Sequence, residues 1–387
     1  MEKLRIGVIG LGNMGSEHCR LLGKAPEAEL TCVADLRPER REWAKNSLPE
    51  GVAIFEDGLS LIAAKACDAV MIAIPHYQHP EMTIAALKAG LHVLCEKPVA
   101  VYTAQVHPVL EAARESGKTF ALMFNQRTNC VYRRLREIIT SGEMGSIKRM
   151  SWTITDWYRS QAYYDSGSWR ATWAGEGGGV LLNQCPHQLD LLQWLFGMPT
   201  TVRAFCHEAK WHDIEVEDDV TAYLEFPNGS TGVFIASTGD LPGTNRLEVS
   251  FDRGKIVCEN GQLLRWMLPG SEEADFRTGS NAYPHPDVQP EVLATDGENP
   301  QHIGVINAFA AHVLHGSPLI AEGGEGINAL MISNAMHLSS WLGQPVTTPI
   351  DETLFASMLA ERAKHSRHKN TQDVTFVTDH SATGRAL

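Results

Sequence analysis

Two stretches of the sequence carry side chains suited to moving a proton at an alcohol. Glu96-Lys97-Pro98 follows the short apolar run His92–Cys95. An ammonium placed there can donate to a hydroxyl and stabilise an alkoxide as charge develops on oxygen. The second stretch, Gly177-Gly178-Gly179-Val180-Leu181-Leu182-Asn183-Gln184-Cys185-Pro186-His187, runs into a helical pattern over Gln188–Phe196. Imidazole titrates near neutrality, so His187 suits exchange of that proton. Asn183 stands four residues earlier, and the two share a face if the helical turn begins early. Each residue also has a plainer reading. A lysine before proline is commonly a solvated surface residue, and a histidine entering a helix is commonly a cap or a satisfied core group. Cys185 has no second ligand in view, so nucleophile and metal readings are set aside and no metal is expected.

A glycine pattern gives these residues a context. Gly10-Leu11-Gly12-Asn13-Met14-Gly15 lies between strand-like Leu4–Ile9 and an amphipathic stretch from Met14 to Lys24. Gly10 permits a tight turn, Gly12 lets a pyrophosphate approach the backbone, and Gly15 lets helix pack on strand. Asp35 ends a second β-like run, 20 residues beyond Gly15. A carboxylate there accepts from ribose hydroxyls and repels a 2′-phosphate, which favours NAD; Arg37 leaves NADP possible. Pro75-His76-Tyr77-Gln78-His79 follows the uniformly apolar Ala69–Ile74, at a strand's carboxyl end, where open α/β sheets bind ligands. Pro75, His76 and His79 are therefore expected along the cofactor groove with Asn13, Met14, Glu96, Lys97 and Asn125. His79 has an alternative role as a helix cap.

A third stretch is dense in rings and charge: Thr155-Asp156-Trp157-Tyr158-Arg159, then Tyr163-Tyr164, Ser168-Trp169-Arg170 and Trp173. Sugar C–H faces stack on rings while their hydroxyls take charged hydrogen bonds. Asp156, Tyr158, Trp169 and Arg170 are the expected substrate contacts beside Lys97, Asn183 and His187; the alternative is that some rings only fill a loop core. Asn125-Gln126-Arg127 either touches a ligand or braces two domains.

Behind these residues, the first 124 positions alternate strand and helix patterns, as βαβ units of a doubly wound parallel sheet do. Beyond residue 125, a helix pattern over Tyr132–Ser141 precedes β-like Ile147–Trp157. Thr201–His207, Val220–Phe226, Ser230–Ser237, Arg246–Phe251 and Lys255–Glu259 then read as strands, with hairpin turns at Asn228-Gly229 and Asp252-Arg253-Gly254. The fold class is α/β: an N-terminal Rossmann domain (1–124), then an α+β domain with a large, mostly antiparallel open sheet (125–345). A C-terminal helix and polar tail (346–387) follow, the tail after Lys369 loosely ordered. Residues 270–300 read as a long surface loop, and helices are expected near 302–315, 323–341 and 351–365. With 387 residues the chain exceeds one ordinary core. Its net charge of −13 argues against nucleic acid as a partner. The apolar runs are too short for a bilayer, no signal peptide precedes the first strand, and the eight cysteines lack metal or disulfide spacing. A cytoplasmic protein with reduced thiols is expected.

Taken together, Gly10–Gly15, Pro75…His79, Ala89-Gly90…Val93…Glu96-Lys97-Pro98 and Gly178-Gly179…Asn183…His187…Leu189-Asp190 resemble the Gfo/Idh/MocA family, over roughly residues 4 to 345. The resemblance implies that Lys97 is the catalytic lysine, often preceding a cis proline, and that His187 is the proton-transferring histidine. It also implies a small carbohydrate or cyclitol substrate and a homodimer or homotetramer packed through second-domain sheets. One departure matters: where members often carry Asp and Gly, this chain has Asn183 and Cys185, which shifts proton transfer onto His187 and Lys97. The implied reaction is hydride transfer between nicotinamide and a secondary alcohol of a sugar, glycoside or inositol, with C3 of a hexose favoured. Two rivals stand beside it. One is a glycosidase that retains NAD and works by oxidation and elimination, with Tyr163 as an extra base; the other is a non-catalytic sugar or NAD sensor.

Overall fold

Short Val-, Ile- and Ala-rich runs pair in parallel in the first half of the chain, as a sheet covered on both faces requires. In the computed structural model, which describes residues 3–367 and 369, these are β1 (Leu4–Ile9), β2 (Ala28–Ala34), β3 (Ala53–Phe55), β4 (Ala69–Ile72), β5 (His92–Cys95) and β6 (Phe120–Leu122). The expected polar tail beyond Lys369 lies outside the described residues. The strand order is β3-β2-β1-β4-β5-β6, every pair parallel. Helices α1 (Asn13–Leu22), α2 (Pro38–Ser47), α3 (Gly58–Ala64), α4 (His79–Lys88) and α5 (Val106–Ser116) cover its faces. The order reverses between β1 and β4, so the crevice at their carboxyl ends is where this topology binds ligands. β3 and α3 were not evident in the sequence. Three residues carry no period, and α3 rests on one local device, the Asp57 side chain accepting from Ser60 N.

The second half comprises α6 (Cys130–Ser141), β7 (Ile147–Ile154), α7 (Gln161–Asp165), α8 (Pro186–Phe196), β8 (Thr201–Glu208), β9 (Glu217–Glu225), β10 (Thr231–Ser237), β11 (Asn245–Phe251), β12 (Gly254–Glu259) and β13 (Gln262–Met267). It continues with α9 (Glu272–Thr278), β14 (Glu291–Leu293), α10 (Gln301–His315), α11 (Gly326–Leu342), β15 (Val346–Thr347) and α12 (Glu352–Lys364). Nine strands form one sheet in the order β14-β13-β12-β11-β7-β10-β9-β8-β15. All its pairs are antiparallel except β7 with β10, because β7 enters from a helix and not from a hairpin. On β9 Val220, Ala222 and Leu224 are buried while Thr221, Tyr223 and Glu225 are exposed, so one face is packed and the other open.

Two sequence expectations change. The stretch 270–300 is not structureless: Ser271 caps α9 by accepting from Ala274 N, and β14 pairs with β13. In addition, α10 falls in the 125–345 stretch yet packs its Val305, Ile306, Phe309 and Ala310 into the core of the first sheet, against Ile6 and Val8. Among the described residues no helix is long and apolar enough to cross a membrane.

Candidate active site

The crevice at the ends of β1 and β4 has the shape of a dinucleotide cradle. Gly10 has φ +90, and a Cβ there would lie 2.3 Å from Ala73 O; a Cβ on Gly15 would lie 1.8 Å from Gly10 O. Gly12, by contrast, opens onto space with nothing within 4 Å, the place left for a group to approach the backbone. It starts α1 without a side-chain cap and with no acidic residue in the first turn. The amides of Asn13 and Met14 are therefore available to an anion. Asp35 Oδ2 accepts from Leu11 N at 2.7 Å and Oδ1 from Arg37 N at 2.9 Å, which fixes the carboxylate facing the glycine turn with lone pairs to spare. The Arg37 guanidinium is turned toward the same carboxylate, Nε to Oδ1 at 3.4 Å.

Arg40, which sequence spacing did not single out, donates from Nε to Leu11 O and from Nη2 to Ser16 Oγ, each at 2.5 Å. Its guanidinium sits 5.2 Å over the Trp43 ring and closes the outer side of the cradle. The signal available was an arginine in the first turn of α2, directly after the Asp35 strand end. These residues fit NAD. Replacing Asp35 by Ala is expected to raise the KM for NAD roughly 10- to 100-fold, the worth of a charged hydrogen bond, and to narrow the preference over NADP. Initial rates with both cofactors check this; unchanged KM values would remove Asp35 from the ribose site.

Further along the groove the structure separates the candidates. Pro75 precedes a short helical turn in which His76 is buried, edge-on to Trp169 with ring centroids 5.6 Å apart. Burial, then the nearby His79 and Lys97, push the His76 imidazole well below its usual range, so it acts as a neutral ring in the wall. The expectation that His79 lines the groove is corrected. It is 1% exposed, and its ring nitrogens lie 2.7 Å from Pro98 O and 2.8 Å from Ile74 O, so it staples the end of β4 to the Lys97-Pro98 turn. Glu96 is likewise engaged within the protein, against its expected cofactor contact. Oε1 lies 2.7 Å from His18 Nε2 and Oε2 accepts from Lys97 N. Burial alone would raise this carboxyl, but His18, His302 and Lys97 together bring it to about 2. Asn125 donates to Gln301 Oε1 at 2.6 Å, and its own Oδ1 is buried without a partner, an acceptor that a ligand amide could use.

Lys97 precedes a cis proline and reaches across the domain cleft, Nζ donating to Asn183 O at 2.8 Å. Burial holds its ammonium below the usual lysine range, opposed by Glu96 and Glu176. His187 sits in the first turn of α8, its ring edge-on to Phe124. Burial, and after it the Lys97 charge, keep this imidazole well below its ordinary value. It is thus neutral and able to accept a proton, and it lies close enough to feel the charge of the Lys97 ammonium.

Asn183 is a third correction. Because α8 starts only at Pro186, Asn183 lies in the preceding turn and does not share a helix face with His187. Its Nδ2 donates to Glu176 and its Oδ1 accepts from the Tyr163 hydroxyl at 3.3 Å. Its side chain is therefore engaged by protein, and its backbone carbonyl is what meets the chemistry. Glu176, missed in the sequence although it directly precedes the three glycines, is buried, which raises its carboxyl against the pull of Arg170.

The aromatic stretch folds over this centre. Tyr163 lies between two guanidinium groups, Arg159 at 5.1 Å and Arg170 at 4.7 Å from its ring, and Arg170 Nη1 donates to its hydroxyl at 3.0 Å. Arg170 also covers Trp169 at 4.5 Å, so these two of the four substrate candidates from the stretch stand together. Tyr158 is at the rim, 40% exposed. Asp156 follows β7, and its half-buried carboxylate adds to the burial that raises the Cys185 thiol. Cys185 is fully buried, which leaves it no nucleophilic role. Among the described residues no group of His, Cys, Asp and Glu is arranged to hold a metal ion.

The two shifts set a pH profile. A base whose pKa lies below 6.5 stays unprotonated at neutrality, so alcohol oxidation is expected to remain flat from neutral pH to below 6.5 before falling. Loss of the Lys97 proton then brings an alkaline limb below 10.5. His187→Gln abolishes the acidic limb; an acidic limb that survives the substitution contradicts the assignment.

Comparison with known proteins identifies both halves of the chain. Residues 4–124 match the oxidoreductase family with an NAD-binding Rossmann fold, and residues 132–257 match the GFO/IDH/MocA C-terminal domain. The chain is 26% identical over 338 residues to myo-inositol 2-dehydrogenase of Thermotoga maritima, covering 86% of this chain and 95% of that protein. It is 25% identical to D-glucoside 3-dehydrogenase of Escherichia coli, covering 89% and 97%. Among solved structures, the WlbA dehydrogenase of Chromobacterium violaceum, in complex with NADH and UDP-GlcNAcA, superposes with a TM-score of 0.77 at 25% identity, covering 91% and 97%. The chain belongs to the Gfo/Idh/MocA family of oxidoreductases, and its first domain is the family's NAD-binding Rossmann fold.

Proposed function

We propose that this protein is an NAD-dependent dehydrogenase acting on a secondary alcohol of a sugar, glycoside or inositol, with C3 of a hexose ring the favoured position. The observation that carries the reading is the contact of Lys97 Nζ with Asn183 O, which ties an ammonium of one domain to the turn leading into His187 of the other, whose imidazole feels the Lys97 charge. NAD, when bound, supplies the hydride acceptor. Lys97 orients and polarises the alcohol oxygen, and His187 takes the hydroxyl proton as the C–H bond breaks, leaving a ketone. Trp169, Arg170 and Tyr163 hold the ring so that only one carbon faces the groove, which supplies much of the rate by orientation. Support for a cyclic polyol comes from the relatives whose names are inositol 2-dehydrogenase and D-glucoside 3-dehydrogenase. For assembly we propose a homodimer or homotetramer through the open face of the nine-stranded sheet, where Phe205 and Tyr223 are exposed.

A panel of myo-inositol, methyl glucosides and free hexoses, followed at the NADH absorbance with NAD and with NADP, tests the reading. NADH formation from at least one cyclic polyol is the expected result. Glycoside cleavage without NADH would transfer the same residues to the retained-cofactor glycosidase, and no turnover with any member would favour the sensor.

A further inference from the structure

We infer that Glu217 is a positioning residue for the proton-transfer centre, holding the 179–187 segment through its backbone amides, with His337 behind it. The catalytic consequence rests on the dehydrogenase reading above; the geometric one does not. Glu217 opens β9, well outside the cleft, and is fully buried. Gly179 N lies 2.9 Å from both of its carboxylate oxygens, and Leu181 N donates to Oε1 at 3.0 Å. Val180 N, between them, donates to the Glu217 backbone carbonyl at 2.9 Å. Three successive amides of the glycine segment thus converge on one residue, Val180 N on its backbone carbonyl and Gly179 N and Leu181 N on its carboxylate, which those two hold as an anion nest does. A buried carboxylate is costly unless it is paired, and these amides are its pairing.

The approach is close enough to explain one of the glycines. A Cβ on Gly179 would stand 1.9 Å from Glu217 O. From this anchor the chain turns in fixed steps: Asn183 N donates to Gly179 O at 2.9 Å, and Cys185 N to Val180 O at 2.8 Å. The same turn presents Asn183 O to Lys97 and starts α8 one residue before His187. Where Glu217 puts Gly179–Leu181, the two proton-handling groups follow.

His337 of α11 connects this anchor to the aromatic stretch. Its Nε2 lies 3.0 Å from Glu217 Oε2, without the alignment of a straight hydrogen bond. Its ring stacks on Trp341 at 5.4 Å and meets Trp173, from the substrate stretch, edge-on at 5.9 Å. Through His337 the Glu217 anchor thus also reaches Trp173 of the aromatic stretch.

The test is Glu217→Gln, nearly the same volume: its amide oxygen can still accept from Gly179 and Leu181, but the NH2 that replaces the other oxygen sets a donor against the Gly179 N–H and against His337, so the segment must shift. With the cyclic polyol that gives NADH, kcat is expected to fall by on the order of 100-fold, the cost of a displacement of about 1 Å. The KM for NAD is expected to stay within about twofold, since the cradle is in the other domain. Val249→Ala, a buried change in β11 away from the site, is the control for lost stability: its kcat is expected to stay near wild type at a similar melting temperature. His337→Leu, which leaves the amide nest in place, is expected to lose kcat, and His337→Gln, which restores a donor, to recover most of it. A kcat for Glu217→Gln no lower than that of the Val249→Ala control would overturn the inference. So would a crystal structure of Glu217→Gln with the Asn183 carbonyl still on Lys97. That structure decides the geometry even if no polyol is turned over, a result that would remove the dehydrogenase reading alone. Should Glu217→Gln fail to fold, the His337 pair decides: equal kcat for Leu and Gln overturns the inference.

Discussion

Lys97→Ala lowers turnover by roughly 1,000-fold while leaving NADH binding within a few-fold of wild type. The expectation follows from where the charge sits. The ammonium is held by a backbone carbonyl from the opposite domain at 2.8 Å, so it is already aimed when the alcohol arrives and needs no reorganisation. A general acid and an oxyanion donor are each worth about 10²- to 10⁴-fold, and Lys97 serves as the donor while His187 takes the proton. The remaining activity would come from His187 and from orientation of the ring. Lys97→Arg is not a rescue, because a planar guanidinium is larger and holds its proton too firmly to share the alcohol's. Single-turnover rates and NADH fluorescence titration separate the two effects. Turnover within tenfold of wild type would refute the role assigned to Lys97.

Asp190→Ala is the substitution expected to cost most in stability, about 3–5 kcal/mol, because it strands a buried guanidinium. Arg127 donates to Asp190 from Nε at 2.7 Å and from Nη2 at 2.6 Å, with side-chain exposures of 2% and 1%. A second carboxylate, Glu325, accepts from Nη1 at 2.7 Å, and the guanidinium stands over Phe124 and Trp194. Arg127 follows the last strand of the Rossmann sheet, Asp190 is on α8 and Glu325 precedes α11, so one side chain braces three elements of the domain junction. For domains of this size the loss corresponds to a fall in melting temperature of roughly 10 °C. Asp190 is also one turn from His187, so kcat drops as well. Replacing both partners, as Arg127→Met with Asp190→Leu, is expected to recover much of the stability, since no buried charge is left unpaired and the remaining Glu325 carboxylate is 36% exposed. Thermal and urea unfolding check both statements, and an Asp190→Ala loss below about 1 kcal/mol would show the brace to be dispensable.

What the sequence showed and what it hid divides along physical lines. The glycine cradle, Asp35, Lys97 and His187 were legible because each sits at a strand end or helix start that local spacing reveals. The parallel sheet was legible for the same reason: Ala69–Ile72 has no polar residue to turn outward. Features set by distant approach were not legible. Glu217 meets Gly179 across 38 residues of chain, and nothing local to either marks the pair. Local spacing puts His79 in the groove, but Pro98 O, 19 residues on, occupies one of its nitrogens. Asn183 was assigned to a helix face because four-residue spacing suggests one. The three amides before it are held elsewhere, so that stretch is a turn. α10 lies between β14 and β15 of the second sheet in sequence but completes the first core, since only packing decides which apolar face a helix covers.

The central claim is that Lys97 and His187 act on one alcohol whose hydrogen passes to the nicotinamide. Methyl glucoside deuterated at C3, or the corresponding labelled position of whichever polyol is turned over, tests it directly by mass spectrometry of the reduced cofactor. The account predicts one deuterium on the nicotinamide ring per ketone formed, with a rate that falls on labelling and collapses in Lys97→Ala. Product formed with the label lost to water, or with no reduced cofactor at all, would contradict it.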